Sequence, residues 1–326
     1  MAAELQDFDD AWQDIENEIV PVIDLAEEED IFDDAEFMEE EERPPFDNRN
    51  VFVYMGGWND HVPNNVIRAR VDPSVGTIRN GVFNERLQLE EVELCEGLQQ
   101  IGEDEHYAEV FKECLSLRRV EIPSSVTLIR SGAFLECINL EEVVFNEGLH
   151  TIEERAFCSC IESLKRIDLP ATIRHIGADA FCYCSSLVSI NIPDGVESIG
   201  NSAFRECNIS TFRIPSSITT IPNNGSNGNG MFSHCKCMFS IEIPEDITRI
   251  GQSTFSNCDS LRNVALPSNA RTSDDMFDTC KDMKELFFGH QPLLIMALKN
   301  RFRNLPVHKM LYYQSFLLQW SISLKH

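Results

Sequence analysis

The sequence predicts a repeat solenoid, a right-handed superhelix with one parallel strand per coil and short helical turns between strands. Three observations lead there. An aromatic ring returns at Phe83, Phe111, Phe134, Phe157, Phe181, Phe204, Phe232, Phe255 and Phe277, in steps of 28, 23, 23, 24, 23, 28, 23 and 22 residues. Three residues after eight of these nine rings stands a cysteine: Cys114, Cys137, Cys160, Cys184, Cys207, Cys235, Cys258 and Cys280. An alternating apolar triplet then closes on proline, as in Val120-Glu-Ile122-Pro123 and Ile190-Asn-Ile192-Pro193. A fixed period of this length marks stacked units, none of which covers its own apolar face. The ring count gives about nine coils.

Each part of the unit has a physical reason. A leucine opens it (Leu117, Leu140, Leu164, Leu187, Leu261), and the alternation that follows is that of a strand with one face buried. Proline, which lacks an N–H, ends the pairing; Asn146 and Cys95 take its place in two copies. An apolar pair comes next, such as Val126 with Ile129 or Val196 with Ile199. The turn through the ring and the cysteine then tucks both beneath the strand. Ahead of the first copy, NVFVYMGG at 50–57 reads as a lead-in strand that caps the array.

The unit, L-x-x-[IV]-x-[IL]-P-x-x-[VI]-x-x-I-x-x-x-A-F-x-x-C, resembles the repeat of the BspA-like leucine-rich-repeat family over Asn64 to Phe288. That resemblance implies a non-catalytic solenoid that binds other macromolecules. Members of that family occur in bacterial surface proteins and in single-celled eukaryotes.

Charge supports the stacking register. The two positions after the leucine read Glu90-Glu91, Arg118-Arg119, Glu141-Glu142 and Lys165-Arg166 in successive coils, so sign alternates up the stack. At a strand spacing of roughly 4.8 Å, like charges there would repel. Exposed pairs of this kind contribute about 0–1 kcal/mol each, so the ladder sets register more than strength.

Three domains are expected. Residues 1–47 form an acidic, largely disordered segment, because 1–42 hold nineteen Asp and Glu and no Lys or Arg. Within it Phe8, Trp12, Ile15 and Ile19 fall on one helical stripe that could dock in a partner's groove, and the mix of acidic and apolar residues resembles a transcriptional activation segment. The solenoid spans 48–290. Residues 291–326 are expected to form a helical cap, in which NLPVHKMLYY resembles the start of an ankyrin repeat. The two steps of 28 place insertions at 102–111 and 222–230, at one point of the coil and therefore on one edge.

The net charge is −27, of which the chain beyond residue 42 carries about −8 (35 acidic against 27 basic). Such a body argues against a nucleic-acid partner, which needs clustered Lys and Arg. No run reaches the roughly 18 apolar residues of a membrane span, and no signal peptide is read. Twelve cysteines in such a chain are expected to stay reduced inside the cell, with the cytoplasm favoured over the nucleus.

Candidate chemistry is sparse. Cys158, Cys160, Cys182, Cys184, Cys235 and Cys237 offer thiolates for zinc, and Cys158 with Cys182 for a disulfide. The repeat nevertheless explains Cys160, Cys184 and Cys235 as buried small side chains, which leaves Cys158, Cys182 and Cys237 surplus. The eight histidines do not cluster at ligand spacing, and no nucleophile elbow or phosphate loop is present. Neither enzymatic activity nor a cofactor is expected.

The leading expectation is a monomeric interaction scaffold that binds a protein, and no membrane, through its strand-lined face or loop edge. The exposed positions expected to do so are Val188, Asn191, Arg213, Phe239 and Glu242. Phe239 has two readings: an outward anchor, or a ring turned inward because Met238 fills the leucine place imperfectly. The alternatives are a cell-surface adhesin or carbohydrate-binding protein, and a transcriptional co-regulator with an acidic effector segment.

Overall fold

The computed structural model describes residues 51–293, apart from 58–59, 104–106, 223–228, 269, 273–275, 284 and 289–290. The acidic segment 1–47 and residues 294–326 lie outside the described residues.

From Arg68 to Leu266 longer front strands alternate with two-residue back strands along the chain. In chain order the first strands are β1 (Val51–Tyr54), β2 (Arg68–Val71), β3 (Thr77–Ile78), β4 (Glu91–Leu94), β5 (Gln100–Ile101), β6 (Arg119–Ile122) and β7 (Leu128–Ile129). Next come β8 (Glu142–Phe145), β9 (Thr151–Ile152), β10 (Arg166–Asp168), β11 (His175–Ile176), β12 (Ser189–Asn191) and β13 (Ser198–Ile199). The last are β14 (Thr211–Arg213), β15 (Thr220–Ile221), β16 (Ser240–Glu242), β17 (Arg249–Ile250), β18 (Asn263–Leu266), β19 (Glu285–Phe288) and β20 (Gln291–Leu293). This is the expected leucine-rich-repeat architecture, with strand pairing in parallel from coil to coil. No helix occurs among the described residues, and hydrogen-bonded turns take the place of the expected helical ones.

Alternation fixes which side chains go inside. In β6, Val120 and Ile122 are buried while Glu121 is exposed. Pro123 follows at once, and the chain turns through the Val126 N–H bond to the Pro123 carbonyl. The back strand then buries Ile129. At the head of the array β1 pairs in parallel with β2. At the other end Gln291–Leu293, expected to open a helix, forms a strand antiparallel to β19.

A third row runs along the turns. Phe111 N–H donates to the Ala133 carbonyl, Phe134 to Ala156, Phe157 to Ala180 and Phe181 to Ala203, all at 2.7–2.9 Å. The rings themselves stack from Phe83 to Phe277, with centroids 4.9–5.9 Å apart. Offset stacking at this spacing adds to the apolar area that the rings bury.

The repeat cysteines do more than fill space. Each thiol donates to the carbonyl of the ring residue one coil earlier: Cys114 to Phe83, Cys137 to Phe111, Cys207 to Phe181 and Cys235 to Phe204, at 3.1–3.2 Å. Burial pushes the Cys114 and Cys235 thiols up to about 12, so they stay protonated donors at neutral pH.

The strand ladders are interrupted where coil length changes. From cysteine to proline the usual count is nine, as from Cys137 to Asn146 or Cys184 to Pro193. Cys160 to Pro170 is one longer, and no pairing joins β8 to β10. Cys207 to Pro215 is one shorter, and there β12 is unpaired with β14 and β13 with β15. A one-residue change moves a strand out of step with its neighbour, whereas the turn row continues across both places.

Candidate functional site: the front sheet face

The front face changes character along its length. Over β2 to β8 it is a charge ladder: Arg68 pairs with Glu91 at 3.1 Å, Arg70 with Glu93, Arg118 with Glu141 at 2.8 Å and Arg119 with Glu142 at 2.9 Å. Arg118–Glu141 and Arg119–Glu142 join two rungs of the expected alternation, and Arg68 and Arg70 extend it by a coil that was not expected. The expected rung at Lys165-Arg166 lies across the unpaired β8–β10 joint, where Arg166 turns to Asp168 of its own strand at 2.8 Å.

From β12 to β16 the same positions are neutral: Val188-Ser189, Ser210-Thr211 and Phe239-Ser240. Leu187 and Met238 fill the core, and the residues that follow them, Val188 and Phe239, stand 49% and 48% exposed. Phe239 therefore points outward, because Met238 occupies the leucine place completely. The Phe239 N–H bond to the Ser210 carbonyl at 2.9 Å fixes this position. Ser210, in the coil between the two, leaves both apolar side chains open.

Polar groups surround this pair. Arg213 lies 3.3 Å from Asp194 in the preceding coil and 3.8 Å from Glu242 in the following one. The Ser216 N–H holds the Asp194 carboxyl below the usual carboxylate value, and Arg213 adds to the effect. Asn191 on β12 and Glu242 on β16 are exposed. The five expected residues, Val188, Asn191, Arg213, Phe239 and Glu242, thus share one exposed face. The stripe of Phe8, Trp12, Ile15 and Ile19 lies outside the described residues.

Two concavities were not foreseen. The interruption between β8 and β10 opens a cleft of about 670 Å³ lined by Glu142, Phe145, Glu162, Lys165, Arg166 and Asp168. Its sequence signal is the one-residue insertion after Cys160. On the back face, a hollow of about 450 Å³ includes Arg130, Glu153, His175 and Ser198.

In that hollow His175 Nδ1 lies 3.0 Å from Ser198 Oγ, and Nε2 lies 3.8 Å from Glu197. Serine, histidine and carboxylate are the types used in acyl transfer, yet that chemistry also needs donors aimed at a developing oxyanion in a site closed to water. Ser198 and His175 are both exposed on two-residue back strands, which provide neither. Among the described residues, no three of His, Cys, Asp and Glu converge as metal ligands.

What identifies the coil is the recurrent unit itself, with ring, thiol and proline each in a fixed structural place. A model of the BspA-type leucine-rich-repeat region, in six copies, matches residues 105–227 and 221–312. The chain belongs to this family. Among solved structures, a leucine-rich repeat protein from Bacteroides ovatus is 22% identical, over 69% of this chain and 67% of its own, with a TM-score of 0.47. A leucine rich cell surface protein from Faecalibacterium prausnitzii is also 22% identical, over 74% of this chain and 82% of its own, with a TM-score of 0.41. A leucine-rich-repeat protein from T. pallidum has 22% identity over 65% and 84%, with a TM-score of 0.45. No curated protein matches the chain.

The BspA-type unit accounts for the eight repeat cysteines and the rings without any appeal to catalysis. Its outward strand positions are the ones that the repeat leaves unspecified. Among the described residues no helix is long and apolar enough to cross a membrane.

Proposed function

We propose that this BspA-type solenoid is a non-catalytic scaffold that binds a protein on its front face, centred on Val188 and Phe239. The observation that carries this reading is the outward Phe239, about half exposed over a core already filled by Met238. Aromatic and arginine side chains are over-represented among residues that anchor interfaces, and Arg213 stands on the next strand. The partner fitting this surface is a protein with an apolar side chain for the Val188–Phe239 ridge and a polar rim for Arg213, Asn191 and Glu242.

The thiol ladder supports a reducing compartment, hence the inside of the cell, most readily the cytoplasm. Each repeat cysteine serves as an S–H donor, a role open only to the reduced form.

The test is affinity capture with the full chain, alongside Phe239→Ala and a Val188→Ser variant. A discrete protein held by the wild type and lost from both variants, with unchanged thermal midpoints, supports the reading. Equal capture by all three moves recognition elsewhere.

A further inference from the structure

Cys158 and Cys182 stand apart from the eight repeat cysteines. They occupy the position directly after the ring in adjacent coils. Bonds on either side lock their register: Phe157 N–H donates to the Ala180 carbonyl at 2.9 Å, and Ser159 N–H to the Cys182 carbonyl at 2.8 Å. Positions so aligned lie roughly 4.8 Å apart, within the Cα separation of roughly 4.4–6.8 Å that a disulfide spans.

Their surroundings single out Cys158 as the readier thiolate and Cys182 as its protonated neighbour. The neighbouring Cys182 pulls the Cys158 thiol below its ordinary value, which favours the Cys158 thiolate, and the same proximity together with burial pushes the Cys182 thiol up. Arg155 favours the Cys158 thiolate and Arg205 the Cys182 thiolate, while Asp179 opposes both. Arg205, stacked 4.8 Å over Tyr183, has a buried Nε without a partner. Neither thiol donates to a ring carbonyl, as Cys160 and Cys184 do. Cys158 instead meets the Ser159 hydroxyl at 3.6 Å.

We propose that Cys158 and Cys182 form a peroxide-responsive dithiol that closes into a disulfide between adjacent coils. Exposures of 8% and 2% favour a small oxidant over a bulky disulfide such as oxidised glutathione. The Cys158 thiolate attacks one oxygen of hydrogen peroxide and the O–O bond breaks. The product is a sulfenic acid, and the hydroxide that leaves takes up a proton as water. Cys182 sulfur then attacks the sulfenic sulfur and displaces the hydroxyl group as a second water, which carries off the Cys182 proton. Two thiols are oxidised, one peroxide is reduced, and two waters form.

The experiment treats the reduced full chain with graded hydrogen peroxide, alkylates the remaining thiols and maps peptides by mass spectrometry. The expected result is a dithiothreitol-reversible Cys158–Cys182 link, formed while Cys160 and Cys184 still alkylate after unfolding. In Cys182→Ser the link is absent and Cys158 passes to sulfinic acid; in Cys158→Ser, which serves should the first fail to fold, the link is absent and Cys182 stays a thiol. The proposal is overturned by sulfinic acid at Cys158 in the wild type without a link. It is equally overturned by a Cys160–Cys184 link, or by both thiols surviving peroxide that oxidises the exposed Cys237.

Discussion

The Cys137 thiol donates to the Phe111 carbonyl at 3.1 Å, so a side chain of one coil satisfies the backbone of the coil before it. That carbonyl also accepts the Cys114 N–H at 3.2 Å, so loss of the thiol removes one of two donors, at about 0.5–1.5 kcal/mol for the bond. Cys137→Ala therefore destabilises the array by about 1 kcal/mol, read as a lower urea midpoint. Cys237→Ala, at an exposed thiol outside the ladder, changes stability by less than about 0.5 kcal/mol. Equal effects from the two would leave the bond without energetic weight.

Glu136 lies two residues after its ring with φ at 59°, and the corresponding residue of the other coils is also left-handed, including Tyr183 at 61° and Asn257 at 60°. A non-glycine residue pays about 1–2 kcal/mol there, and a β-branched one pays more. Glu136→Gly is expected to hold or raise the thermal midpoint, despite the greater freedom of its unfolded chain. Glu136→Val lowers it. A lower midpoint for glycine than for valine would show that the Glu136 side chain outweighs the backbone.

Gly148 and Gly76 respond to alanine in opposite directions. Gly148 has φ at 126°, and an added Cβ would lie 1.9 Å from the Ser124 carbonyl oxygen. Gly148→Ala forces the two coils apart and costs about 3 kcal/mol. At Gly76 nothing lies within 4 Å of an added Cβ and the backbone is not left-handed, so Gly76→Ala stabilises by about 0.4–1 kcal/mol. Differential scanning calorimetry separates the two.

Glu96 reaches across to the next coil and accepts from the Ser124 hydroxyl and N–H, each at 2.9 Å, and from the Ser125 N–H at 3.1 Å. Chiefly the Ser124 hydroxyl holds its carboxyl below the ordinary 4.5. A carboxyl lowered by folding stabilises above its unfolded value, and that contribution is lost as pH falls through the folded one. The wild-type melting temperature should therefore fall more steeply from about pH 5 to pH 3 than that of Glu96→Gln. Parallel profiles would remove Glu96 from the acid response.

The period, the family and the inward or outward sense of each strand were legible because ring, thiol and proline recur at fixed spacing. The charge ladder was legible in its Arg118-Arg119 and Glu141-Glu142 rungs, where register dictates which charges meet, but not at Lys165-Arg166, where the register breaks. The role of the cysteine was not: a thiol's partner is a carbonyl one coil away, and spacing within one coil carries no sign of it. The carboxylate bridges of Glu96, Glu147 and Asp194 were missed for the same reason. Phe239 stayed open until the fit of Met238 in the core was seen. The interruptions at Cys160–Pro170 and Cys207–Pro215 were present as counts of ten and eight, but the loss of pairing appears only once neighbours are laid side by side.

The second interruption gives the array an uneven grain. Between β13 and β14 neither strand ladder crosses; the joint rests on Phe204 stacked on Phe232, on turn bonds such as Phe204 N–H to the Met231 carbonyl, and on Asp194 with Ser216. Order in a stack passes only between neighbours, so the coils on either side melt as two cooperative blocks. Val188 belongs to one block and Phe239 to the other. A protein seated on both acts as a splint across the weakest joint, and its arrival merges two melting transitions into one.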